Sequence, residues 1–154
     1  MELMKFQAVL FDFDYTLGDA TEAIVTGFQY AFARMGLAEP DRESVRTTVG
    51  YILEDGYTLL TGDGDPGQRA LFRRYYVEKA NPLQISTTQL FPGARALLEA
   101  LRERGIPAGV VSSKKGSTLR GVLEHLDVVR LLCSVTGGDQ VARPKPDPEG
   151  ILAA

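Results

Sequence analysis

The sequence contains no tryptophan, one cysteine and one histidine among its 154 residues. A single cysteine, Cys133, excludes an intramolecular disulfide and favours a reducing compartment. Its apolar neighbours predict a buried position in a strand. His125 has no cysteine or second histidine to join it, so a zinc site is not expected. No apolar run approaches 18 residues and the first five residues lack a signal-peptide pattern, which together predict a cytoplasmic protein.

The net charge is also small, because 17 basic and 20 acidic residues leave a net charge of −3. That balance gives no reason to expect nucleic acid or an anionic membrane as a partner. A hydrophobic content of 44% is ordinary for a globular chain. The length corresponds to one or two small domains, as a monomer or a homodimer.

The most informative stretch is Ala8-Val9-Leu10-Phe11-Asp12-Phe13-Asp14-Tyr15-Thr16-Leu17. Its apolar first half predicts a strand of a parallel sheet that is buried on both faces. Asp12 and Asp14 follow at a spacing of two, which points both side chains to the same side of an extended backbone. Ligands of open parallel sheets bind at this end of the strand. Two neighbouring carboxylates repel each other, so the pair predicts a Mg²⁺ site.

The pattern of helices and strands in the rest of the sequence predicts an α/β fold. Residues 18–90 show helical patterns and no strand-like alternation, with one helix running from Pro66 to a stop at Asn81-Pro82. Two further strands, residues 106–111 and 130–136, alternate with helices after residue 91. Strands separated by helices indicate right-handed βαβ units and a Rossmann-like parallel sheet. The fold class is therefore a three-stranded Rossmann-like sheet with an inserted helical segment.

Two other strand ends carry candidate residues. Ser112-Ser113-Lys114 follows the second strand, where a hydroxyl and a backbone N–H can bind phosphate oxygens. Lys145 lies in Arg-Pro-Lys-Pro-Asp-Pro, and the flanking prolines fix the backbone from which this lysine projects. The second strand is expected beside the first, which would bring Ser112 over Asp12.

These three stretches resemble the first three motifs of the haloacid dehalogenase-like hydrolase superfamily, in its phosphoglycolate phosphatase-like and β-phosphoglucomutase-like branch. The resemblance implies a core of residues 1–17 and 91–154 and a helical cap of residues 18–90. It implies Asp12 as nucleophile, Asp14 as general acid/base, and Mg²⁺ bound by Asp12 and Asp14. Ser112, the Ser113 N–H and Lys145 would bind the phosphate of a small phosphorylated metabolite.

The sequence departs from the family pattern in two respects. Tyr15 stands where many relatives carry glycine, and the chain ends at Ala154, before the acidic fourth motif that completes the family's magnesium site. The sequence therefore predicts a truncated form or fragment of a longer phosphatase, with the remainder of the sheet missing. The competing interpretation is a chain that completes its sheet with a partner or a second copy. Functional alternatives are a phosphosugar mutase, a catalytically impaired fragment and a non-enzymatic phosphate-binding protein.

Overall fold

The structure, a computed structural model, describes residues 6–154. The start of the predicted core segment and the expected absence of a signal peptide concern residues 1–5, which lie outside the described residues. Backbone contacts divide the chain into two units. We call them the sheet unit, which runs to Asp19 and resumes at Gln89, and the helical unit, Ala20–Thr88.

The sheet unit contains a parallel sheet of three strands in the order β1-β4-β5. These strands are β1 (Val9–Phe11), β4 (Ala108–Val111) and β5 (Ser134–Thr136). Helices α5 (Ala94–Glu103), α6 (Gly116–His125) and α7 (Glu149–Ala153) alternate with them. The predicted α/β class is confirmed, and so is the pairing of the first two predicted strands.

Burial differs between the strands. Strand β4 is the central one and all four of its residues are buried, as expected for a strand with helices nearby. The prediction that the first strand is buried on both faces is wrong, because β1 pairs only with β4 among the described residues and its Leu10 is 38% exposed. An edge strand keeps one row of side chains and backbone groups less covered.

The predicted third strand begins too early. Val129–Leu131 form a short 3₁₀ turn, and β5 begins only at Ser134. The turn is stabilised by N–H donation from Leu131 to the Val128 carbonyl. Cys133 was predicted to be buried but is exposed, although its N–H donates to the Ala108 carbonyl at 2.8 Å. Apolar sequence alone did not separate the turn from the strand.

A second, very small sheet belongs to the sheet unit. Strand β2 (Gly18–Asp19) pairs antiparallel with β3 (Gln89–Leu90), so the chain leaves and re-enters the sheet unit along two neighbouring strands. Strands of two residues have no alternation to detect, and the sequence predicted none here.

The helical unit consists of α1 (Thr21–Arg34), α2 (Arg42–Arg46), α3 (Leu53–Thr61) and α4 (Pro66–Thr87). Its core is aromatic. The ring of Phe72 has no exposed surface, and its centroid lies 5.0 Å from that of Phe28 and 5.1 Å from that of Tyr57. Such ring pairs add to the free energy gained by burying apolar area.

The predicted end of α4 at Asn81-Pro82 is wrong, because the helix continues through Pro82 to Thr87. Proline in a helix costs about 3 kcal/mol by removing a hydrogen bond and crowding the preceding turn. Buried contacts on both sides of Pro82 offset that cost. Gln84 Nε2 donates to Tyr76 Oη at 3.0 Å, and Ala80 is fully buried. Within residues 6–154, none of the helices is long and apolar enough to cross a bilayer.

Candidate active site

The turn after β1 is fixed through Phe13. The Phe13 carbonyl accepts from the N–H groups of Thr16, Leu17 and Gly18 at 3.0–3.1 Å. The Phe13 ring is fully buried, and a Cβ atom at Gly18 would lie only 2.5 Å from ring atom Cζ. Asp12 and Asp14 flank this residue, so their backbone positions are set by a packed ring and a closed turn.

Tyr15 has a φ of 62°, in the left-handed region that favours glycine. Its N–H donates to the Gly18 carbonyl at 3.0 Å, which closes the turn. The resemblance places glycine at this position in many relatives, and the backbone conformation gives the physical reason. Tyrosine therefore occupies a conformation that costs it free energy in this chain.

Asp12 and Lys145 are in contact although 133 positions separate them in the sequence. Lys145 Nζ lies 3.0 Å from Asp12 Oδ1 and also donates to the Val111 carbonyl at 2.7 Å. The lysine thus joins the ends of β1 and β4. The side chains of Asp12 and Lys145 are 39% and 33% exposed, so both remain accessible to a small molecule.

Asp14 forms a second ion pair, with Lys114, which the sequence-based predictions did not include. Lys114 Nζ lies 3.3 Å from Asp14 Oδ2, and the side chains are only 8% and 15% exposed. The sequence did show that Lys114 follows Ser112 and Ser113 directly, at the strand end that carries the candidate serines. A lysine beside two serines gives no indication of its partner from sequence alone.

Ser112 is buried, with 4% of its surface exposed, and begins the loop after β4. Its Oγ accepts from the Lys114 N–H at 3.1 Å, which leaves the hydroxyl proton available to a ligand. Ser113 is half-buried, and its carbonyl packs tightly on Gly138, where a Cβ atom would lie 2.5 Å from the oxygen. The loop after β5 therefore supports the loop that carries both serines.

The loop that carries Lys145 is tied to the start of α7. Glu149 accepts from the backbone N–H groups of Ala142 and Arg143, each at 2.9 Å. These hydrogen bonds hold the pKa of the Glu149 carboxyl below its usual value. Pro144 and Pro146 flank Lys145, and the Pro144 carbonyl accepts from the Asp147 N–H at 3.1 Å.

Asp14 also provides the observation that bears on a metal. Its Oδ1 atom is buried and receives no hydrogen bond, and such an oxygen is costly unless a cation or a proton satisfies it. Mg²⁺ takes oxygen ligands and is often held by one or two carboxylates plus water and phosphate. The donors at Asp12 and Asp14 therefore fit Mg²⁺. No group of three or more candidate ligand side chains occurs in residues 6–154.

The site thus combines two carboxylates, two ammonium groups and a buried hydroxyl at the carboxyl ends of β1 and β4. Two of the predicted residues, Asp12 and Lys145, are in direct contact. Asp14, Ser112 and Ser113 lie on the adjoining turn and loop. A doubly negative tetrahedral anion would find positive charge and hydrogen-bond donors here, next to an accessible carboxylate.

Comparison with known proteins identifies relatives over nearly the whole chain. Residues 9–154 match the family model described as haloacid dehalogenase-like hydrolase. A Dickeya dadantii protein named probable phosphatase IndB is 34% identical over 149 residues, which cover 94% of this chain and 65% of that protein. The phosphoglycolate phosphatase of Rhodospirillum rubrum is 31% identical, with coverage of 96% and 64%. The chain therefore spans slightly less than two thirds of the length of these relatives.

A solved structure from Bacteroides fragilis that carries the same family name superposes with a TM-score of 0.92 at 34% identity. The match covers 97% of this chain and 71% of that one.

Proposed function

The chain belongs to the haloacid dehalogenase-like hydrolase family, and from that premise we propose that it acts as a Mg²⁺-dependent phosphatase on a small phosphate monoester. The reaction proceeds through an aspartyl-phosphate on Asp12. Relatives with phosphatase names support the reaction class.

The observation that carries the proposal is the contact between Lys145 Nζ and Asp12 Oδ1 at 3.0 Å. A nucleophilic carboxylate must approach a phosphate that is itself negative, so a neighbouring cation is needed to lower the repulsion. Lys145 is anchored on the Val111 carbonyl and can contact both groups. A surface ion pair without function would not require an ammonium group fixed between two strand ends.

In the first step, an Asp12 carboxylate oxygen attacks phosphorus in line with the leaving group. The bond from phosphorus to the substrate oxygen breaks, and that oxygen takes a proton from the Asp14 carboxyl. In the second step, water attacks the aspartyl-phosphate and gives a proton to Asp14. The bond to Asp12 breaks, which regenerates the carboxylate and releases phosphate.

The remaining polar groups hold the phosphoryl oxygens. Ser112 donates its hydroxyl proton, the Ser113 N–H donates from the same loop, and Lys145 neutralises charge. Asp12 and the backbone carbonyl of Asp14 would hold Mg²⁺, which would supply further neutralisation of the phosphoryl charge. The Asp14 side chain then remains available for proton transfer.

The substrate is a small phosphorylated metabolite, and phosphoglycolate is the first to test because several relatives carry the name phosphoglycolate phosphatase. No nucleic-acid or membrane partner is proposed. Localisation in the cytoplasm remains part of the proposal.

The deciding experiment compares the chain with its Asp12→Asn variant in hydrolysis of p-nitrophenyl phosphate, with and without Mg²⁺. We expect turnover that requires Mg²⁺ and falls about a thousandfold or more in the variant, because an amide is a poor nucleophile. Asp127→Asn is the matched control. The Asp127 side chain is exposed and forms an ion pair with surface Arg130, so activity should be unchanged.

Two results would contradict the proposal. Turnover at the wild-type level in Asp12→Asn would exclude Asp12 as the nucleophile. A wild-type chain that is folded but inactive would refute the phosphatase assignment for this chain. Product analysis with glucose 1-phosphate tests the mutase alternative, since an isomerase yields a phosphosugar and a phosphatase yields free phosphate.

A further inference from the structure

We propose that the helical unit carries an anion site of its own, in which Arg34 of α1 and Arg74 of α4 bind a phosphate group beside Tyr75. We call these three residues the arginine–tyrosine site. The ligand is inorganic phosphate or a small molecule that bears a phosphate group. This inference concerns residues outside the candidate active site and does not depend on the proposed function.

The two guanidinium groups lie against one aromatic ring. The Cζ atoms of Arg34 and Arg74 are each 5.0 Å from the centroid of the Tyr75 ring, so they are at most twice that distance apart. Arg74 Nη2 donates to Tyr75 Oη at 3.3 Å. Hydrogen bonds from both guanidinium groups, that of Arg74 above all, hold the pKa of Tyr75 below its usual value. Two positive charges therefore converge on one small region of the surface.

These two charges have no carboxylate to balance them, although like charges this close repel each other. Within residues 6–154, neither Arg34 nor Arg74 forms an ion pair. Every other arginine of the helical unit forms one with an aspartate or a glutamate, namely Arg42, Arg46, Arg69 and Arg73. The missing counter-charge is thus specific to the arginine–tyrosine site, and an anion from solution would supply it.

The surface beneath the two arginines is firmly packed. Tyr75 is half-buried and packs against the buried aromatic cluster of the helical unit. Helices α1 and α4 are in close contact, since a Cβ atom at Gly27 would lie 2.6 Å from the Ala80 Cβ atom. An anion would therefore meet donors that project from two fixed helices, which reduces the entropy lost on binding.

Neighbouring groups extend the positive charge along α1 and α4. The centroid of the Tyr30 ring lies 5.8 Å from Lys79 Nζ and 6.0 Å from Arg34 Cζ. The Glu78 carboxylate next to Lys79 accepts a hydrogen bond from Tyr30 Oη at 2.8 Å. This carboxylate is thus bound to the phenol and pairs with neither arginine.

The arrangement favours phosphate over carboxylate as the bound group. A carboxylate carries one charge and two oxygens in one plane, which suits a single guanidinium group. A phosphate group is tetrahedral and carries up to two negative charges, so its oxygens can accept from two guanidinium groups that approach from different helices.

The test observes Tyr75 directly in the full chain. All six tyrosines are replaced by fluorotyrosine, and a Tyr75→Phe sample identifies the Tyr75 signal in the fluorine NMR spectrum. Inorganic phosphate is titrated with EDTA present and with the ionic strength held constant by sodium chloride. Arg34→Gln and Arg74→Gln each remove one guanidinium group. Arg120→Gln is the matched control, because Arg120 is an exposed residue of α6 and its loss changes the net charge equally.

We expect phosphate to shift the Tyr75 signal in a saturable manner, with a Kd of about 1 mM. Arg34→Gln and Arg74→Gln should each weaken binding about tenfold, because each removes a charge-assisted hydrogen bond. Arg120→Gln should bind like wild type. The same titration with phosphoglycolate identifies the source of the phosphate group, since tighter binding than that of inorganic phosphate assigns the site to a phosphorylated metabolite and weaker binding assigns it to free phosphate.

Two results would overturn the inference. One is a Tyr75 signal that does not respond to phosphate, or that responds equally in wild type and in both Arg34→Gln and Arg74→Gln. The other is a response to a hexaglutamate peptide and none to phosphate, which would make the surface a contact for an acidic protein. Because the measurement follows a tyrosine signal and not turnover, either result leaves the proposed function untouched.

Discussion

Phe13 holds the two carboxylates from two directions, through its carbonyl and through its ring. The carbonyl closes the turn, and the ring fills the space beneath Gly18. Phe13, an apolar residue, therefore determines where the side chains of Asp12 and Asp14 begin. The positions of the two carboxylates therefore depend on packing as much as on charge.

Gly18→Ala tests this dependence. A Cβ atom would lie 2.5 Å from the Phe13 ring, and the buried ring has to move, which shifts Asp12 and Asp14. We expect the free energy of unfolding to fall by about 1–3 kcal/mol and phosphatase turnover to fall about tenfold or more. Urea unfolding and p-nitrophenyl phosphate hydrolysis measure the two effects.

Gly64→Ala is the control, because no atom lies within 4 Å of its added Cβ. The double variant Gly18→Ala with Phe13→Leu should recover part of the stability, since leucine leaves room for the new methyl group. A stable and fully active Gly18→Ala variant would show that Phe13 does not set the carboxylate positions.

At the same scale, the sequence predicted the acidic pair, the serines and Lys145, because each follows a recognisable strand end or proline pattern. It did not predict the pairing of Lys114 with Asp14, since that contact joins residues 100 positions apart and depends on the loop conformation. Nor did it predict the left-handed conformation of Tyr15, which only the closed turn reveals.

Helices and strands with a regular hydrophobic pattern could be predicted from the sequence. Element boundaries that depend on tertiary contacts could not. The alternation of helices and strands after residue 91 indicated the parallel sheet, and the structure confirms it. Helix α4 continues through Pro82 while its Tyr76 and Ala80 pack closely on Gly27 of α1, a tertiary contact that no local rule includes. The 3₁₀ turn before β5 has an apolar composition that also suits a strand.

The loop before α7 leads to a prediction that depends on pH. Hydrogen bonds from Ala142 and Arg143 lower the pKa of Glu149, so the folded state binds its proton less readily than the unfolded state. The resulting stability is present above the ordinary glutamate pKa of about 4.3 and is lost as pH falls through the lower folded pKa. Glu149→Gln should therefore reduce stability at pH 7 more than at pH 3.

Urea unfolding midpoints at several pH values measure this difference. Glu103→Gln, an exposed change in α5, is the comparison and should alter the profile less. An identical pH dependence in wild type and Glu149→Gln would mean that the carboxylate does not hold the loop. A fall in turnover of Glu149→Gln at pH 7 would further indicate that the same loop positions Lys145.

At the scale of the whole molecule, each unit has apolar residues of its own. The buried aromatic cluster around Phe72 is formed by residues of the helical unit, and Val110 is fully buried in the central strand of the sheet unit. Removing a large buried side chain costs about 3–5 kcal/mol for phenylalanine, and less for valine. The loss should be concentrated in the unit that contains the substitution.

Native-state hydrogen exchange can test this expectation with two variants. Phe72→Ala should lower protection mainly within residues 20–88, and Val110→Ala mainly within residues 6–19 and 89–154. Both are cavity-forming changes at fully buried positions, so each serves as the control for the other. A uniform loss of protection across both units in either variant would indicate a single cooperative unit instead.

The pairing of β2 with β3 bears on how this chain could change over evolutionary time. Gly18 pairs with Leu90 and Asp19 with Gln89, so the two ends of a segment of nearly 70 residues lie about 5 Å apart. A segment bounded in this way can be lengthened, shortened or exchanged without altering the span that the remaining chain must close. The helical unit can then diverge in one stretch of the gene while the residues of the sheet unit are inherited unchanged.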